Sequence, residues 1–227
     1  MRLIFLNLFF LISIIAHAQT VTLSKGVKVN ENTDRFLYRV ENVSSADEFL
    51  GEIEVFGAPQ NDAETFKSIY EKAKLVGANA YTIVKTESIE GLQSVFNPSN
   101  YRLNLYYRNP ADFPANDNSV AVIAHSNNVQ SLRINDKKQD LQPRSFIRFD
   151  LTNQSNATIS TKRFLGSKVV LQFKEGQPEK YFLITGFGVT SDQSDVGGLN
   201  IKSGDIIMVE KSYAMYLMGI YRQIELD

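Results

Sequence analysis

The residues of this chain that could do chemistry are few and scattered. His125 sits in Ala124-His125-Ser126-Asn127-Asn128 at the end of an apolar run, Asp192 and Asp195 precede Gly197-Gly198, and Lys72 and Lys74 precede Gly77-Ala78-Asn79-Ala80. An imidazole beside a hydroxyl suggests nucleophilic catalysis. Neighbours on a strand project to opposite faces, so Ser126 is a poor partner for His125, and no Gly-x-Ser-x-Gly elbow occurs. His125 is therefore expected to bond backbone at a strand end. Two aspartates in a glycine loop suggest calcium, but their spacing departs from the alternate-position pattern of an EF-hand, and no bidentate glutamate follows at the required offset. Calcium at Asp192 and Asp195 stays open as a reading. Phosphate-cradling glycine motifs are absent. No catalytic residue, metal ligand or cofactor is assigned, and the binding residues are unknown.

What precedes these residues suggests where they work. Arg2 heads an apolar run from Leu3 to Ile15, and Ala16-His17-Ala18 places small residues where a signal peptidase reads, which predicts a signal peptide over 1–18 and a mature chain from Gln19. The run is shorter than the roughly 20 apolar residues of a spanning helix, and no second one follows, so no stable membrane span is expected after processing. The chain is expected to be exported, to the periplasm or the extracellular space.

Cleavage would remove Arg2 and His17, so the 24 basic residues fall to 23 against 25 acidic ones. That balance excludes a typical nucleic-acid binder, which needs a basic excess to displace counterions from phosphates. There are no cysteines, hence no thiol nucleophile, thiolate zinc site or cysteine-bound iron–sulfur cluster. With His125 the last histidine, a multi-histidine metal site within one chain is impossible. Paired carboxylates are the remaining enzymatic option. A secreted hydrolase acting on glycans needs two acids held ~5–10 Å apart across a cleft, and sequence does not pair them.

The elements that would position such residues fall into two groups. In the first, Phe36–Val40 and Phe49–Phe56 read as strands, the latter with Phe49, Ile53 and Val55 on one face. Asn61 is a good N-cap with Glu64 three residues on. Phe66, Ile69, Tyr70, Ala73 and Val76 recur at helical spacing, and Gly77 supplies a left-handed C-cap. Ala80–Lys85 reads as a buried strand. In Tyr101–Arg108, Tyr101, Leu103, Leu105 and Tyr107 alternate with polar positions. This predicts a small α+β domain over 19–108, a sheet with one covering helix. Two prolines among small and polar residues mark 109–118 as a linker.

The second group, 119–227, reads as short β segments: Val120–Ala124, Val129–Ile134, Ser145–Leu151, Lys168–Lys174, Lys180–Phe187 and Asp205–Glu210. Turn chemistry at Asn135-Asp136, Glu175-Gly176-Gln177-Pro178 and Lys202-Ser203-Gly204 separates several of them. This spacing predicts an all-β, sandwich-like domain. Tyr213–Ile224 fits a helix through Tyr213, Leu217, Ile220 and Ile224, but its Tyr and Ile content and its neighbourhood favour a strand. Tyr106, Phe146, Tyr216 and Tyr221 are the candidate outward-facing aromatics for a partner.

Lys72-Ala73-Lys74-Leu75-Val76-Gly77-Ala78-Asn79-Ala80, with Gly51-Glu52-Ile53 before it and Tyr101–Tyr107 after it, resembles the YbjQ-type superfamily and its relative, the Rcs stress-sensor lipoprotein. The resemblance covers about Phe49 to Arg108 and implies a small α+β fold and a role in binding or assembly. Heavy-metal binding does not carry over without cysteines, nor does the sensor's disulfide mechanism. Leu132–Ile184, with its Asn135-Asp136 turn, is similar in pattern to PEGA-like β-modules and implies a scaffold or adhesion role. Gly204-Asp205-Ile206-Ile207 resembles a PDZ stretch, but the upstream spacing fails and too little chain follows. The expectation is an exported, non-enzymatic binding, scaffold or stress-sensor module of the bacterial cell envelope, with an envelope protein or glycan as partner.

Overall fold

Asn61 starts the first helix as its position predicts. Its side-chain oxygen accepts from the Ala63 and Glu64 amides (3.0 and 3.4 Å), and α1 runs Asp62–Leu75. At the other end Gly77 adopts φ +75°, its amide donates to Lys74 O, and the Ala78 amide donates to Ala73 O. This paired closure satisfies the carbonyls of the last turn. A Cβ on Gly77 would lie 1.8 Å from Asn30 O, so glycine is required by space as well as by φ. The computed structural model describes residues 19–57, 61–84, 96–114, 118–151, 156–161, 166–185, 202–203 and 205–226. The expected signal segment and the 192–198 loop with Asp192, Asp195, Gly197 and Gly198 lie outside the described residues.

The chain is α+β. Behind α1 stands a five-stranded sheet of β1 (Thr20–Gly26), β2 (Tyr38–Arg39), β3 (Glu48–Phe56), β4 (Ala80–Val84) and β5 (Asn100–Tyr107), in the order β1-β3-β5-β4-β2. The neighbours are antiparallel except β2 and β4, which run parallel. Tyr101, Leu103 and Leu105 are buried against Phe66, Ile69 and Ala73, as their alternation predicted.

The face assigned to Phe49 is corrected. The register of β3 shifts between Phe49 and Gly51, and an extra residue in one strand turns everything beyond it to the other side. Leu50 is buried with Ile53, and Phe49 meets Tyr106 edge-on at 5.6 Å. Gly51 makes this possible, since a Cβ there would sit 2.3 Å from Lys25 O of β1.

Beyond the short 3-10 turn Pro110–Asp112 come two further sheets. One holds β7 (Gln130–Ile134), β8 (Lys137–Leu141), β10 (Asn156–Thr161) and β11 (Lys168–Gln172), in the order β11-β10-β7-β8. The other holds β6 (Ser119–Ile123), β9 (Ser145–Asp150), β12 (Lys180–Ile184), β13 (Lys202–Ser203), β14 (Ile206–Met208) and β15 (Arg222–Gln223), in the order β13-β14-β12-β6-β9-β15. Asn135 and Asp136 both take positive φ (48° and 65°) and close the β7–β8 hairpin, the backbone a two-residue turn of matching twist demands.

Every residue of β6 is buried. Val120 and Val122 enter a cluster with Leu132, Ile134 and Ile159 of the four-stranded sheet, while Ala121 and Ile123 enter the cluster that also contains Phe66 and Leu105. A strand covered on both faces reads as a continuous apolar run, and β6 is one.

The strand favoured for Tyr213–Ile224 is corrected to a helix, α2 (Lys211–Ile220), followed by β15. It packs on β2, α1, β6 and β12. Glu210 caps it, its carboxylate accepting from the Ser212 and Tyr213 amides (2.8 and 3.3 Å). The five-stranded sheet thus carries two helices where one was expected, and the second comes from the far end of the chain. Tyr216 of α2 lies 5.3 Å ring to ring from Phe66, and its hydroxyl pairs with that of Tyr101 at 2.7 Å. Burial pushes both phenols up. Tyr221 donates to Asp62 Oδ2 (2.7 Å), whose other oxygen takes Arg144 (2.6 Å).

Candidate binding cleft

The helical arrangement of Lys211, Met215 and Met218 creates a site. At offsets of four and three they share one face of α2, while Ala214, Leu217 and Ile220 are buried. The first face borders a cleft of about 370 Å³ lined also by Tyr38, Arg39, Val40, Glu41 and Asn42 of the β2 segment, by Arg108, Phe113 and Pro114, and by Arg148 and Glu179. It therefore draws on the first sheet, the connection, the six-stranded sheet and α2.

The Gly-Ala-Asn-Ala turn positions one wall. Asn79 is fully buried; its Nδ2 donates to Arg108 O and its Oδ1 accepts from the Arg108 amide, both at 2.8 Å. Its own carbonyl accepts from the Tyr38 amide (2.8 Å). Lys74 Nζ donates to the carbonyls of Asp34 (2.7 Å), Phe36 (2.6 Å) and Ala78 (3.0 Å), holding the segment that leads into β2. Burial lowers its ammonium to about 8, against the opposing pull of Asp34 and Glu210.

Aromatic and cationic groups run through the site in contact. Lys211 Nζ lies 5.2 Å from the Tyr38 ring, Tyr38 lies 4.0 Å from Phe113, and the Arg108 guanidinium lies 5.9 Å from the Phe113 ring. Four cations line the cleft, Arg39, Arg108, Arg148 and Lys211, against two acids, Glu41 and Glu179. Their commitments differ. Arg108 makes two hydrogen bonds to Asp47 (Nε to Oδ1 2.8 Å, Nη2 to Oδ2 2.5 Å), and that carboxylate is only 3% exposed. Arg108 holds the Asp47 carboxyl below its ordinary range. Glu179 takes Arg148 at 2.6 Å, Ser119 Oγ at 2.8 Å and the Tyr181 hydroxyl, with Lys211 at 3.9 Å. Arg39 reaches Glu41 at 3.2 Å, and the Glu41 side chain is 75% exposed.

His125 lies outside the cleft lining. Its Nδ1 accepts from the Asn127 amide (3.2 Å), its amide donates to Gln130 Oε1 (2.8 Å), and its carbonyl accepts from the Arg144 amide (3.4 Å). It is a turn residue bonded to backbone, as expected. Among the described residues no group of three His, Cys, Asp or Glu comes together as a metal site, and no helix is long and apolar enough to cross a membrane.

Of the four candidate outward aromatics, Phe146, Tyr216 and Tyr221 are buried and only Tyr106 is half-exposed, on the sheet face away from the helices. Tyr216 is turned into the core because its segment is a helix, and Phe146 of β9 joins the same apolar cluster because that face of the six-stranded sheet is covered. Missed in its place were Tyr38, Arg39, Arg108, Phe113, Arg148, Glu179, Lys211, Met215 and Met218. Two signals were available, the helical spacing of Lys211, Met215 and Met218 and a lone phenylalanine set between the prolines of the connection. Comparison with family models, curated proteins and solved structures finds no match to this chain.

Proposed function

We propose that this protein is an exported, non-enzymatic binding module of the bacterial cell envelope, with the later sheets forming a sandwich-like scaffold and the cleft between β2 and α2 holding its partner. The observation that carries this reading is the character of the cleft: a concave site of ligand size walled by Tyr38, Phe113, Met215 and Met218, whose two acids are each paired to a cation. Aromatic, methionine and arginine side chains are the types that gain most from burial against a partner. The resemblance of the Gly77–Ala80 turn to the YbjQ-type and stress-sensor proteins supports a role in binding or assembly, and the apolar cluster shared by the two later sheets supports the sandwich.

A photo-crosslinking amino acid at Met215, with a control at exposed Val170 of β11, tests the proposal in intact cells. The expected result is a discrete adduct from position 215 and none from 170. Equal labelling at both positions, or none at either, overturns it. So does hydrolysis of an envelope glycan that is lost on Glu179→Gln.

A further inference from the structure

The cations of the cleft are not equally occupied, and this points to the chemistry of the ligand. Arg108 is committed to a buried carboxylate through two bonds, and Arg148 and Lys211 share Glu179, whose side chain is 11% exposed. The Arg108–Asp47 pair is desolvated on both sides and does not open cheaply; Arg148 bonds Glu179 at 2.6 Å, and Lys211 stands 3.9 Å from it. Arg39 bonds Glu41, which lies two residues on, past the end of β2, and is largely in water, and a pair with one partner so exposed contributes little. Arg39 is therefore a cation from which a carboxylate can be exchanged. Beside it stand an apolar wall of Tyr38, Val40 and Phe113 and the two methionines of α2, side chains that repack around varied shapes.

We propose, resting on the binding reading above, that the cleft takes a ligand with a single carboxylate joined to an apolar group, the carboxylate replacing Glu41 on Arg39 and the apolar part lying against Tyr38, Phe113, Met215 and Met218. Glu41 already shows that a carboxylate matches that guanidinium. Such a ligand can be the C-terminal end of a peptide or a free acyl chain.

Methyl NMR of the processed chain, labelled at methionine, tests this with two pairs of probes: N-acetyl-leucyl-phenylalanine against its C-terminal amide, and octanoate against octanol. The acid of at least one pair is expected to shift the Met215 and Met218 methyls and to bind roughly tenfold tighter than its neutral partner, the scale of a charge-assisted bond. The pair that responds identifies the source. Arg39→Gln should abolish the preference for the acid without abolishing binding of the neutral form. Glu41→Gln, at an exposed side chain, should tighten the acid. Equal binding of acid and neutral forms, shifts confined to Met208, or an unchanged preference in both variants would refute the proposal. Silence of all four probes also refutes it, and crosslinking at Met215 then decides the binding reading separately.

Discussion

Asn79 and Arg108 exchange two hydrogen bonds at 2.8 Å each, side-chain amide to backbone carbonyl and backbone amide to side-chain carbonyl. Asn79 stands one residue before β4 and Arg108 one residue after β5. The pair ties off the sheet at the point where Arg108 turns into the cleft. Buried polar groups are stable only when paired, and losing one partner strands the other.

Asn79→Ala removes both bonds and leaves the Arg108 amide and carbonyl to find water. A loss of about 2 kcal/mol is expected from two buried bonds, measured as a shift in the urea midpoint at constant m. The same variant should weaken cleft binding more than a surface substitution of equal stability cost, because the Arg108 backbone that enters the cleft wall loses its anchor.

Asp47→Asn leaves the Arg108 guanidinium, itself only 11% exposed, without its carboxylate. Breaking one side of a buried pair costs roughly 3 kcal/mol. The pH dependence has a definite sign. The hydrogen bond from Arg108 lowers the Asp47 carboxyl in the folded state, so its contribution is fully present above the ordinary aspartate range and is lost as pH falls through the lowered folded value. Urea melts from pH 6 down to pH 2 should show a steeper loss in the parent chain than in Asp47→Asn.

Lys74 titrates at about 8 in the fold because burial disfavours its ammonium, against an ordinary 10.5. Between those values the unfolded chain holds a proton that the folded chain has released, so this group makes stability rise with pH. Lys74→Met should remove that rise. Buried tyrosines such as Tyr81 and Tyr213, pushed up by burial, oppose it only above pH 10, where unfolding exposes phenols that ionise. Comparing parent and variant from pH 8 to pH 10 isolates the lysine, and side-chain NMR of Nζ reads its titration directly.

Much of the first sheet and its helix was legible, because the signals are local. Asn61 at an N-cap, a stripe from Phe66 to Val76 and Gly77 at the end specify a helix through hydrogen bonds a few residues apart. The alternation of Tyr101, Leu103 and Leu105 specifies a half-buried strand in the same way. Three strands went unread: β8 and β10, since Lys137–Leu141 and Asn156–Thr161 carry too few apolar residues to show a period, and the two-residue β13, whose Lys202 and Ser203 read as a turn. Phe49 was placed on the wrong face because its facing depends on a bulge, and the bulge depends on the close approach of β1 to Gly51.

The sequence by itself determined α1, the Gly77 turn, the Asn135-Asp136 turn and a backbone-bonded His125, each set by neighbours along the chain. Only the tertiary structure decided that Lys211–Ile220 is a helix, since its tyrosines, leucine and isoleucine satisfy either period until there is a surface to bury them on. That surface is made by α1 and the first sheet, with Phe66 and Tyr101 waiting for Tyr216. The cleft follows from the same event. Its walls come from five separated segments, and nothing along the chain relates Arg39 to Met218 until α2 folds back onto β2.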